Sequence, residues 1–340
     1  MGRNKRDCSP WWLALGLCLF LCDGSGQERP KPAGEDKKGE DEKVEAVTSV
    51  SVNIPAVTVN LVATDKDGTL ITGMTKDMFK VYEDGQPQEI TNFFSDQSAV
   101  NVVLLVESSR LISGIEQDFW DASSDLIRNL RPEDYCALVT FDTRPRIAID
   151  FTQDKGKIIS EVRMSLYFKG FSESALSDAV VFVMDRMKEV TGKKAIILLA
   201  TGLDTFSKIN YTKALEIASV SDTVIYAVSM GQLARTYNDP YYSEESRITL
   251  LQSDVRLKSF AKKSGGLSFF PRFSTAYPAV FKDITTYLRY QYTLAYRPAN
   301  QKLDGKTRKI KIEAAADINS DGTPDKLKVN HKESYKPMPR

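Results

Sequence analysis

Between Val100 and about Tyr290, short apolar runs alternate with longer stretches of helical periodicity. The runs VVLLV (Val102–Val106), CALVTF (ending at Phe141), RIAIDF (ending at Phe151), AIILLA (ending at Ala200), TVIYAVSM (ending at Met230) and LSFF (ending at Phe270) predict strands. Ser113–Leu130, Lys155–Leu166, Ala175–Lys188, Thr212–Val220, Val255–Lys263 and Tyr277–Leu288 predict helices. Such alternation implies parallel strands joined by crossovers, an α/β block.

The segments on either side have a different rhythm. VTVNLVATDKDG alternates and ends in a turn, and FKVYEDGQPQEITNFF predicts two strands around Asp84-Gly85, with a single helical turn at Thr75–Met78 before them. After the last helix, QYTLAYRP, a turn at Asp304-Gly305, RKIKIEAAA and KLKVNHKESY return to the hairpin style. The economical arrangement is one β-sandwich of about seven strands, whose N- and C-terminal halves embrace the inserted α/β block. The chain then divides into residues 1–26, a signal peptide; 27–46, a disordered linker; 47–99 and 291–340, the sandwich halves; and 100–290, the insert.

Composition and charge narrow the partners. Lys plus Arg at 46 nearly cancels Asp plus Glu at 45 across 340 residues, which offers no basic face for nucleic acid. The opening MGRNKRDCSPWWLALGLCLFLCDGSGQ has a basic start, an apolar run from Trp11 to Cys22, and small residues at Gly24 and Gly26. It predicts export to the periplasm or the exterior, because the run is too short to span a bilayer, and the mature chain is expected to have no membrane span. A lipid anchor at Cys22 is the weaker alternative, since Leu21 is too large for that processing. Glu28–Glu45 is rich in Lys, Glu, Asp, Pro and Gly and reads as a spacer. Cys8, Cys18 and Cys22 fall in the leader, so the mature chain keeps Cys136 alone and no internal disulfide can form; Cys136 sits inside a strand pattern as a small buried apolar residue.

The candidate chemistry lies where strands end. VVLLVESSRL runs straight into Glu107, Ser108 and Ser109; GFSESALSDA (Gly170–Ala179) is a loop entering a helix with Ser174 as a plausible N-cap; AIILLATGLDTFS ends in Thr201 and Asp204. In an open parallel sheet, ligands bind beyond the carboxyl ends of strands where strand order reverses. Alone, Glu107, Ser108 and Ser109 read as an ordinary polar turn capping the next helix.

Together, these three stretches resemble a von Willebrand factor A domain. The resemblance implies a doubly wound sheet with the first and fourth strands adjacent, placing Glu107 beside Thr201. It also implies a metal-ion-dependent adhesion site on three loops. Here Glu107 stands where that family has Asp, Ser109 matches the first Ser, Leu111 replaces the second, Ser174 substitutes for Thr, Thr201 occupies the Asp position, and Asp204 is a nearby acid. The expected ion is Mg2+ or Mn2+ at Glu107, Ser109, Ser174 and Asp204, with each lost or lengthened ligand weakening it. The flanks, ITGMTKDMFKVYEDGQPQEITNFF and YTLAYRP with DGKTRKIKIEA, resemble the borders of the VWFA-related acidobacterial domain family, a resemblance that covers nearly the whole mature chain.

Two further segments carry binding chemistry. In DINSDGTPD, Asp317, Asn319, Asp321 and Asp325 have the oxygen spacing of a calcium loop, although Lys328 holds the place of the distal acid; a polar hairpin turn is the alternative. Tyr237, Tyr241 and Tyr242 lie on a long segment following the fifth strand and could offer contact area to a partner, or pack on the domain. The single His331 excludes His-based triads and multi-histidine zinc sites, and no phosphate-cradling Gly-rich loop follows a strand, so no organic cofactor is expected. The leading expectation is therefore an exported, non-enzymatic module binding a protein or cell-surface ligand at Glu107, Ser109, Ser174, Thr201 and Asp204. The alternative is a structural scaffold of the cell envelope with an inactive metal site, binding through sandwich edges or the Tyr segment.

Overall fold

The computed structural model describes residues 56–95, 98–167, 170–233, 243–319 and 321–337. The leader, the linker, Cys22 and the three tyrosines Tyr237, Tyr241 and Tyr242 lie outside the described residues. The N-terminal strands are β1 (Val57–Thr64), β2 (Phe79–Glu83), β3 (Gln86–Gln88) and β4 (Ile90–Phe94). The insert follows as β5 (Val100–Glu107), α1 (Glu116–Asn129), β6 (Tyr135–Phe141), β7 (Pro145–Thr152), α2 (Lys155–Tyr167), α3 (Leu176–Met187) and β8 (Lys193–Ala200). It continues through α4 (Tyr211–Val220), β9 (Val224–Ser229), α5 (Glu244–Ser264), β10 (Ser268–Phe269) and α6 (Tyr277–Arg289). The chain then returns as β11 (Tyr292–Tyr296), β12 (Arg308–Ala316), β13 (Asp325–Lys326), β14 (Lys328–His331) and β15 (Ser334–Tyr335).

The insert is a six-stranded sheet in the order β10-β9-β8-β5-β6-β7, with β5 flanked by β6 and β8 in parallel register. Successive side chains of a strand point to opposite faces. Val102, Leu104 and Val106 of β5 accordingly join a core with α1, α2 and α6, while Val103 and Leu105 join a second core with α3, α4 and α5. Both faces are covered, which is why β5, β8 and β9 read as unbroken apolar runs rather than alternating ones. Cys136 is wholly buried in β6, and that burial pushes its thiol up to about 12, so it is packing and not a nucleophile.

Two expectations are corrected. The alternation implied parallel strands throughout, but β7 runs antiparallel to β6. Only three residues separate them, enough for a hairpin and too few for a crossover. The helix expected from Val255 begins instead at Glu244. Its later part buries Leu257, Phe260 and Ala261 against the sheet, whereas Ile248, Leu251 and Val255 face solvent, so the first turns carry no amphipathic signal.

The flanks pair across the insert. One antiparallel sheet has the order β14-β1-β11-β4; the other has β13-β12-β2-β3, with β15 pairing β12. A single apolar cluster containing Val59, Leu61, Phe79, Val81, Leu294, Tyr296, Ile310 and Ile312 lies between them. Neither half closes this core alone, because β1 from the first half pairs with both β11 and β14 from the second. A buried polar hub sits inside: Glu83 accepts from Arg308, Tyr296 and Tyr335.

The sandwich meets the insert at the amino ends of its strands. Asn60 donates to the Asp222 carbonyl, Asn330 to the Gly265 carbonyl and Lys332 to the Ser221 carbonyl, while Lys336 pairs with Glu216. Asp222 lies two residues before β9 and Gly265 follows α5, so this junction leaves the opposite, carboxyl edge of the six-stranded sheet clear of the sandwich.

Candidate functional site

Four loops emerge from that carboxyl edge, and backbone hydrogen bonds stitch them together. The Ser108 N–H donates to the Phe141 carbonyl, and Gly170 N–H to the Ser108 carbonyl. Arg110 N–H donates to the Phe171 carbonyl and Ala175 N–H to the Asp142 carbonyl. Thr205 and Phe206 N–H both donate to the Ser174 carbonyl, and Ser174 N–H donates to Thr205 Oγ1. Segments separated by tens of residues in sequence thereby become one rigid rim around the point where β5 and β8 part.

Glu107 occupies the centre. It is wholly buried, with Oε1 accepting from Ser109 Oγ at 2.8 Å and Oε2 accepting from Thr201 N at 2.7 Å and Thr201 Oγ1 at 2.8 Å. The register explains the reach: Val106 of β5 lies opposite Leu199 of β8, so the next residues along both strands leave the sheet side by side. Ser109 Oγ also accepts from Leu111 N, and Thr201 Oγ1 from Leu203 N, which turns each loop back on itself. Burial pushes the Glu107 carboxyl above the usual carboxylate range, and the bonds from Thr201 and Ser109 offset only part of that.

Ser174 and Asp204 sit one step away. Ser174 is fully buried and near enough to Glu107 to favour its carboxylate, but its Oγ makes no hydrogen bond of ordinary geometry. The expectation that it caps the helix is corrected: Ala175 is the N-cap of α3 and has no side-chain cap bond. The capping is supplied from another loop, by Asp204 Oδ2 accepting from Ser177 N at 3.2 Å and Ser177 Oγ at 2.5 Å. Its Oδ1 is buried without a partner. Asp178 adds a second tie, accepting from Lys208 N and Ile209 N. Gly202 permits the close approach of this loop to α5: its φ of +84° is in the left-handed region, and a Cβ there would lie 2.6 Å from the Ser253 carbonyl oxygen.

Asp142 is the residue that the sequence reading passed over. It directly follows β6, is fully buried, and accepts from Arg146 at 2.7 and 2.8 Å, from Arg144 N at 3.2 Å and from Phe171 N at 3.3 Å. Burial raises its carboxyl, but these donors together outweigh it and hold the group below the usual range. Its sequence signal was the same as that of Glu107, an acid directly following a buried apolar run.

The donor set can be set against the ion that the resemblance implied. Mg2+ and Mn2+ take six oxygens at short distances, and Mg2+ keeps several of them as water. Glu107 Oε2 has both lone pairs occupied by Thr201, the Leu111 side chain supplies no oxygen, and Asp204 Oδ2 accepts from Ser177, leaving Ser174 Oγ and Asp204 Oδ1 as the buried oxygens without a hydrogen bond. Glu107, Ser109, Ser174 and Thr201 are each at most 2% exposed, so there is no open side for water ligands. These residues do not fit a hydrated divalent ion without the rim being taken apart.

The other candidate loop lies far away, in the sandwich between β12 and β13. Asp317 accepts from Asp321 N and Gly322 N with its two oxygens, Asp321 accepts from Thr323 N, and Asn319 Nδ2 donates to Asp325. These are the bonds of a polar turn. Among the described residues no group of three or more His, Cys, Asp or Glu gathers as an ion cage. His331, in β14, is held between Lys332 O at Nδ1 and Ile312 N at Nε2, remote from the rim.

Residues 102–204 match the family described as von Willebrand factor type A domain. Among solved structures, von Willebrand factor type A from Catenulispora acidiphila is 9% identical with a TM-score of 0.45, covering 84% of this chain and 74% of that one. An aerotolerance-related membrane protein from Bacteroides fragilis is 14% identical with a TM-score of 0.42, covering 55% and 99%. The vWF domain of the type V pili tip protein Mfa5 from Porphyromonas gingivalis is 12% identical with a TM-score of 0.43, covering 56% and 95%. No curated protein matches the chain.

Proposed function

We propose, from the premise that residues 102–204 carry a von Willebrand factor type A domain, that this chain is a non-enzymatic protein-binding module using the carboxyl edge of its six-stranded sheet. One observation carries the reading: the loops after β5, β6 and β8 and the loop before α3 form a single hydrogen-bonded rim at the point where strand order reverses. The sandwich is docked on the other edge, so among the described residues the rim is the free end of the insert. Phe171 and Phe206 stand on this rim, 61% and 49% exposed, although the backbone of each is tied to a neighbouring loop. Rigid backbone carrying exposed aromatic rings is economical for binding, because little freedom is lost when a partner covers them.

Catalysis has little support among the described residues. The rim has hydroxyls and carboxylates but no imidazole beside them, since His331 lies in β14, and Cys136 is inert in the core. The basic and apolar leader supports export to the periplasm or exterior. No helix among the described residues is long and apolar enough to cross a membrane.

The test is saturable binding of the mature chain to envelope and surface proteins, compared among wild type, a Phe171→Asp/Phe206→Asp double variant, and Met164→Asp on α2 as a control. Binding lost by the rim variant and retained by the control, with both variants melting as wild type does, is the expected result. Binding indifferent to the rim substitutions would remove the carboxyl edge as the recognition face.

A further inference from the structure

We infer that Glu107 does in this chain what the resemblance assigned to a divalent ion: it ties the first loop to the third by hydrogen bonds, so that the recognition edge is assembled without metal. The inference concerns how the rim is held, and it stands whatever partner the rim meets.

A carboxylate at the end of β5 must reach a group at the end of the adjacent β8, and the extra methylene of Glu relative to Asp extends it across that gap. At the far side stands Thr201, whose N–H and hydroxyl both point donors at one oxygen, Oε2, at 2.7 and 2.8 Å. A carboxylate at position 201 would repel Glu107 and would need a cation between them; a threonine donates to it instead. The two departures from the family pattern, the lengthened acid and the lost acid, are therefore complementary. On the near side Ser109 Oγ donates to Oε1, and Leu111, whose side chain has no oxygen to offer, contributes its backbone N–H to Ser109. The chain runs Leu111 N to Ser109 to Glu107 to Thr201, with Leu203 N donating to Thr201 Oγ1 at 3.3 Å. Every link is a donor meeting an acceptor. A buried carboxylate without a cation costs free energy unless its oxygens are occupied, and here three donors occupy them.

Coordination by an ion would require the Ser109 and Thr201 hydroxyl hydrogens to turn away from Glu107, and the rim to open for water. Hydrogen-bonded closure and ion binding thus compete for the Glu107 oxygens, and the first form occupies both of them.

Two measurements on the mature chain test this. Thermal melting in EDTA, in millimolar Mg2+ and in millimolar Mn2+ is expected to give one melting temperature, since an ion that binds only the folded state would raise it. A rise that disappears in Glu107→Gln would overturn the inference; a rise that persists in Glu107→Gln places the ion elsewhere and leaves it standing. Amide hydrogen exchange then reads the tie itself, at Leu111, Thr201 and Leu203, in EDTA. Glu107→Gln, which keeps the length and an acceptor for Thr201, should leave these amides protected. Glu107→Asp, which withdraws the group by one methylene, and Thr201→Val, which removes the hydroxyl, should each speed exchange at Leu203 by about tenfold, the scale of one lost net hydrogen bond. Exchange in Glu107→Gln as fast as in Glu107→Asp would mean that charge rather than reach holds the loops, and would refute the tie.

Discussion

Replacing Asp142 with Ala should loosen the rim at a calculable cost. The side chain is fully buried and accepts from three donor groups, Arg146 Nη2, which reaches both carboxylate oxygens, and the Arg144 and Phe171 backbone N–H groups. Each neutral backbone bond contributes about 1 kcal/mol net. The Arg146 side chain is 40% exposed, so its pairing is screened and adds no more than about 1 kcal/mol. The sum is about 2 to 3 kcal/mol, and water reaching the freed N–H groups trims it to about 2 kcal/mol. Asp142→Asn, which keeps one acceptor oxygen, should cost about half as much. Urea unfolding measures both. Because the folded carboxyl lies below its ordinary value of 3.8, the Asp142 contribution is complete above that pH and is lost as pH falls through the lower folded value. Gly170 supplies an internal check. A Cβ there would lie 1.7 Å from Asp142 Oδ2, so Gly170→Ala should be far more damaging in the wild type than in Asp142→Ala. A cost below about 0.5 kcal/mol for Asp142→Ala, or additive effects of the two substitutions, would refute the claim that this carboxylate holds the second loop.

Two predictions address the sandwich and its junction with the insert. Lys332 is buried and its ammonium, pushed down to about 8 by that burial with partial relief from Asp222, is a cost at neutral pH. A depressed folded value means that the neutral form is favoured, so stability should rise as pH increases from 7 toward 10, and Lys332→Met should gain about 1 to 3 kcal/mol at pH 7 in chemical unfolding. A loss would show that its contact with Ser221 O outweighs desolvation. Arg308→Met leaves Glu83 buried with only the two tyrosine hydroxyls and should cost about 3 to 5 kcal/mol at neutral pH, whereas Arg308→Met with Glu83→Gln should recover part of it; equal costs would remove the ion pair as the cause.

The pattern of the chain by itself determined the architecture. Continuous apolar runs flanked by helical periods read as strands covered on both faces, and alternating segments before and after them as half-covered sheets. From those two rhythms came the α/β block and the sandwich from distant halves, while the doubly wound strand order and the adjacency of Glu107 and Thr201 came from the resemblance to the von Willebrand factor A domain. The direction of β7 was legible in the three-residue connection after β6, which admits a hairpin and no crossover. Two features were decided by tertiary structure alone: α5 begins in turns whose Ile248 and Leu251 face solvent, and the α3 cap comes from Asp204, twenty-seven residues past Ser177 in the chain. The character of the site belongs with these. Residue types at strand ends suggested an ion, but whether Glu107 holds metal or meets Thr201 depends on the distance between two strand termini. That distance follows from register and twist, which local sequence does not encode.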